Sequence, residues 1–88
     1  MPAKDAIDSV FGHLQSNGDH HRRDLFDLLR IASISAKPAH VADVRKAAEW
    51  TRDRAIRAGL TATMVETRGH PAVIAEGPQK PGRPTLLL

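Results

Sequence analysis

Five histidines and ten carboxylates are the residues of this 88-residue chain that could hold a metal ion or move a proton; it has no cysteine. The densest group is His20-His21-Arg22-Arg23. Neighbouring residues on a helix point about 100° apart, so adjacent histidines do not close on one ion. Helical ligand pairs need i, i+3 or i, i+4 spacing. His20, Arg23 and Asp24 have that spacing but place a cation in the middle. The expectation is a solvated basic first turn in which His20 has no partner. His13 with Asn17 and His40 with Asp43 read as surface pairs on helices. His70 stands in a Gly-His-Pro turn and would need partners from outside the chain to act as a ligand.

The other chemistries fare no better. Gly77 and Gly82 are separated by prolines and lack the Lys-Ser/Thr of a phosphate loop. Ser33 and Ser35 have no base nearby in sequence and read as helix-stop residues. Asp24, Asp27, Asp43, Glu49, Asp53 and Glu66 lie among basic neighbours and read as paired surface charges. Trp50 reads as a packing or rim residue. No catalytic, cofactor-binding or metal residue is assigned.

Composition bounds what these residues can belong to. The hydrophobic share is 41% and the charged share 26%, ordinary for a globular chain. Aromatics are only Phe11, Phe26 and Trp50, so small aliphatic side chains must fill any core. The absence of cysteine excludes disulfides and thiolate metal sites. No apolar run approaches the roughly 20 residues that span a bilayer. Asp5 and Asp8 interrupt any basic-then-apolar leader pattern. A cytoplasmic chain is expected, with no membrane partner. The net charge of +3 is dispersed: residues 1–40 carry five cations and five anions, residues 41–67 five and four, residues 68–88 three and one. Nucleic-acid binders concentrate charge on one face, so no nucleic-acid partner is expected.

The periodicity predicts three helices. From about Ala3 to Gln15, Ile7, Val10, Phe11 and Leu14 form one stripe, and Asn17-Gly18 is read as a left-handed stop. A second helix is expected after Asp19 as N-cap, with Leu25, Leu28, Leu29 and Ala32 in line and Phe26 and Ile31 widening the stripe. Ser33 to Pro38 breaks it. The third runs from about His40 to Ala58, its stripe of Val41, Val44, Ala47, Ala48, Thr51, Ala55 and Ala58 suited to close packing on a sheet, with Gly59 at the exit.

Three strands should follow. Leu60 to Thr67 alternates Leu60, Ala62 and Met64 on one face. Arg68 to Pro71 is a turn and Ala72 to Ala75 a short strand. After a loop with three prolines and two glycines between Gly77 and Pro84, Thr85-Leu86-Leu87-Leu88 reads as the opening of a buried central strand.

The order of these segments resembles a known family. Asp24-Leu25-Phe26-Asp27-Leu28-Leu29-Arg30-Ile31-Ala32-Ser33-Ile34-Ser35 is similar to the N-terminal segment of the co-catalytic zinc metallopeptidases, which include carnosinase-like dipeptidases, aminoacylases, acetylornithine deacetylase and succinyl-diaminopimelate desuccinylase. Ala47-Ala48-Glu49-Trp50 and Arg57-Ala58-Gly59-Leu60 resemble the helix that follows and its exit. Thr63 to Thr67 and Pro71 to Glu76 resemble the first two strands, and Arg83 to Leu88 the strand that leads into the first metal motif. Trp50 and Ser33-Ile34-Ser35 point toward the dipeptidase branch.

The resemblance covers residues 22–88. It implies an α/β fold: three N-terminal helices followed by three strands, an incomplete part of a zinc-peptidase catalytic domain with helices packed on a mixed sheet. The family's His-Xaa-Asp signature, its acidic pair and its dimerisation domain would lie beyond Leu88, so the chain is expected to be a truncated N-terminal portion. No metal or catalytic residue of the family can be placed on any position here. The complete protein would be a homodimer with two zinc ions that hydrolyses dipeptides or N-acyl amino acids, while the fragment would bind no zinc and be inactive. The alternatives are a small basic binding module for an acidic partner or nucleic acid, and a remnant that acts by association with an intact homologue.

Overall fold

A computed structural model describes residues 2–88, with side chains from Lys4 onward. The chain divides into two units, residues 1–30 and 31–88.

The first unit is helical. Helix α1 spans Pro2–Ser16 and α2 spans Gly18–Leu29. Asp5 lies in the first turn of α1 and His13 in its last, both favourable to the helix dipole. The expected apolar stripe is present, but Ile7, Val10, Phe11 and Leu14 are all exposed. The expected left-handed stop is not there. Asn17 has φ −113° and ψ 18°, and no residue of the joint has positive φ. Two i→i−4 bonds cross it, Asn17 N to His13 O and His21 N to Asn17 O, each 3.0 Å. The joint is therefore a local distortion rather than a cap. It also moves the start of α2 ahead of Asp19, which is no N-cap but a first-turn acid bonded to Arg22 at 3.2 Å.

The second unit is one helix against one hairpin. A single 3₁₀ turn, Pro38–His40, leads into α3, Val41–Arg57. Pro38 suits that start because its missing N–H would have no partner in a first turn. Asp43 occupies the first turn of α3, and Arg54 and Arg57 the last. The exit is a Schellman closure: Leu60 N donates to Ala55 O and Gly59 N to Ile56 O, each at 3.0 Å. Gly59 turns the chain at φ +95°, where a side chain would be strained.

Strands β1, Thr61–Val65, and β2, Ala72–Glu76, pair antiparallel, with Thr63 opposite Ile74 and Met64 opposite Val73. Alternation puts Ala62, Met64 and Val73 on one half-buried face. Both strands pack on α3, whose half-buried positions include Val44, Ala47, Ala48 and Ala55. Small side chains permit that close approach. The rest of the predicted stripe, Val41, Thr51 and Ala58, is exposed. On the other face of the hairpin Val65 and Ile74 stand 40% and 51% exposed. No described residue is fully buried.

The expected fold class holds as a mixture of three helices and strands, but not in its third strand or its mixed sheet. The described sheet is a two-stranded antiparallel pair, and Thr85–Leu88 is not hydrogen-bonded as a strand. An apolar run becomes a strand only where a neighbouring edge takes its N–H and C=O groups. Pro78, Pro81 and Pro84 lack the N–H to extend pairing beyond Glu76. The first strand is also shorter at both ends than the expected Leu60–Thr67, and the second runs one residue past Ala75.

Candidate functional site

The polar groups the sequence singles out are held by the fold in separate places. On α2, His20 Nε2 lies 3.5 Å from Asp24 Oδ2, so the histidine expected to stand alone has a carboxylate one turn away. At the start of α3, His40 Nδ1 and Asp43 Oδ2 are 2.9 Å apart and only half-exposed. That bond joins the 3₁₀ turn to the first turn of the helix. His70 Nε2 donates to the backbone oxygen of Ser35 at 2.9 Å. Its partner here is a backbone carbonyl, not a metal-ligand set. Ser35 contributes this oxygen, and no base is described beside its hydroxyl.

The turn that carries His70 is closed by its own bonds. Thr67 Oγ1 donates to His70 O at 2.6 Å and accepts from Gly69 N at 3.0 Å. The next link crosses from helix to strand. Arg45 Nη1 and Nη2 donate to Glu66 Oε1 and Oε2 at 2.7 and 2.6 Å. This paired geometry is the strong form of an arginine–carboxylate bond. The side-chain hydrogen bond to Arg45 holds the Glu66 carboxyl below its ordinary range, and the same bond raises the Arg45 guanidinium. Both groups face water, so salt screens the pair. Sequence reasoning placed Glu66 among paired surface charges but could not name Arg45, 21 residues away.

One contact had no signal at ordinary helical spacing. The rings of His13 and His21 approach to 5.7 Å between centroids, eight residues apart. Asn17, between them, donates Nδ2 to His13 O at 2.9 Å and reaches His13 Nδ1 at 3.4 Å.

Among the described residues no group of three or more histidines or carboxylates could hold a metal ion. His20, His40 and His70 each turn to a different partner, so these residues do not fit a two-zinc site. An open hollow of about 900 Å³ between the end of β2 and the following loop carries Glu76, Lys80 and Arg83, one carboxylate and two cations without a histidine beside them. Among the described residues no helix is long and apolar enough to cross a membrane. What the bonds do together is pin the turn after β1 to α3 through Arg45 and to the 31–37 segment through His70. No protein-family model, no curated protein and no solved structure matches this chain.

Proposed function

We propose that this chain is the N-terminal part of the catalytic domain of a zinc-dependent hydrolase that cleaves dipeptides or N-acyl amino acids. It is scaffold within that domain and is inactive alone. The observation that carries the reading is the order of family-like segments: Asp24–Ser35, Ala47–Trp50, Arg57–Leu60, Thr63–Thr67, Pro71–Glu76 and Arg83–Leu88. The hairpin adds support. On its outer face Val65 and Ile74 are exposed beside Thr61, Thr63 and Glu76, two apolar side chains that another layer would cover in the whole protein. In that protein zinc would polarise the scissile carbonyl and activate water. Every ligand for it would come from outside residues 1–88.

The test is to enrich the native protein from its source with an antibody to this sequence and assay hydrolysis of dipeptides and N-acyl amino acids. The expected result is an activity that a chelator abolishes and zinc restores, together with zinc in the enriched protein. A metal-free native protein without either activity overturns the reading.

A further inference from the structure

Metal-binding pairs on a helix normally stand one turn apart. His13 and His21 stand eight residues apart, where a straight helix would separate their Cα atoms by about 12 Å. Their side chains close most of that gap, leaving the rings 5.7 Å apart, centroid to centroid. The departure from helical dihedrals at Asn17, φ −113° and ψ 18°, falls midway between them. The joint thus lies midway between two imidazoles whose rings approach each other across it.

We propose that His13 and His21 form a two-histidine site for one late first-row divalent cation, clamped across the joint between α1 and α2. A metal–nitrogen bond is about 2.0–2.1 Å, which places an ion about 3 Å from each ring centre and two rings on one tetrahedral ion about 5 Å apart. The observed separation needs only a small closure of two side chains, His13 exposed and His21 half-buried. Imidazole selects copper, nickel and zinc over magnesium or calcium, and affinity peaks at copper. Water fills the remaining positions. His20 is not a third ligand, although its ring is 5.9 Å from that of His21, because it is turned to Asp24. The long contact from Asn17 to His13 Nδ1 is displaced when the ion binds, while its shorter bond to the His13 carbonyl keeps the joint closed. The site is independent of the hydrolase reading and lies outside the segments that carry it.

Titrating nickel chloride into the full chain by calorimetry tests this. One ion per chain is expected. His13→Ala and His21→Ala should each weaken binding at least tenfold, with His40→Ala unchanged and circular dichroism confirming that helix content is retained. Binding by the His13→Ala/His21→Ala double variant as tight as that of the parent overturns the site. So does a His20→Ala variant that loses binding as fully as His21→Ala, or a parent chain that binds no nickel.

Discussion

Residues 1–30 and residues 31–88 are held in different ways. In the first unit several side-chain bonds join neighbours along a helix: Asp19 to Arg22, His20 to Asp24, Asp27 to Arg30. The Asp19–Arg22 and Asp27–Arg30 pairs are exposed and contribute a few tenths of a kcal/mol at most, while Asp24 is half-buried. In the second, Arg45 reaches Glu66 across 21 residues and His70 reaches Ser35 across 35, around a helix packed on a hairpin. Local bonds add little to a helix in water, because nucleation is costly. The hairpin unit adds burial and loop closure that reinforce one another. The second unit should therefore melt cooperatively and the first should fray.

The largest break in this contrast comes from the helix–sheet contact. Met64→Asp places a carboxylate on the half-buried face against α3. It should cost about 2–3 kcal/mol. Amide exchange should rise throughout 41–76. Unchanged exchange there would mean that Met64 does not support the packing of α3 on the hairpin.

Gly59→Val comes next. The Schellman exit at φ +95° has open space for a side chain, so the cost is backbone strain alone, about 1–2 kcal/mol. The urea midpoint of the second unit should fall accordingly. An unchanged midpoint would remove that strain from the account.

Gly18→Ala works in the opposite direction. Gly18 is helical, and an added Cβ meets nothing within 4 Å. Alanine should stabilise the joint by about 0.5–1 kcal/mol, read as increased ellipticity with no change in the hairpin unit. A loss of ellipticity would show that the joint needs glycine.

The smallest effect is electrostatic. Glu66 has its carboxyl held low by Arg45, so the folded form binds its proton less readily than the unfolded form. The stability this supplies is present above the ordinary glutamate range and is lost as pH falls through the depressed folded value. Following the Glu66 side chain by NMR should show titration below the ordinary range, returning to it in Arg45→Met. Salt should narrow the difference. A Glu66 that titrates alike in both proteins would leave the pair without a solution counterpart.

Sequence legibility followed the same divide between local and distant. The span of α3, its dipole-matched ends and the glycine exit could all be read, because each depends on residues within a turn or two. The hairpin could be read from β-branched alternation around Arg68–Pro71. The third strand could not, because Thr85–Leu88 has the composition of a strand but pairing needs a partner edge that composition does not reveal. The Asn17-Gly18 stop was misread because the dipeptide favours left-handed backbone without imposing it, and here the helix hydrogen bonds run through it. The partners of His70 and Glu66 and the His13–His21 approach depend on the folded path and had no local signature.

The central claim is that these residues are the scaffold of a larger hydrolase. The intact mass of the native product that carries this sequence, measured from its source cells, tests it most directly. A species several times heavier than 9.6 kDa is the predicted result. A native species at 9.6 kDa, with nothing heavier bearing the sequence, would contradict the claim.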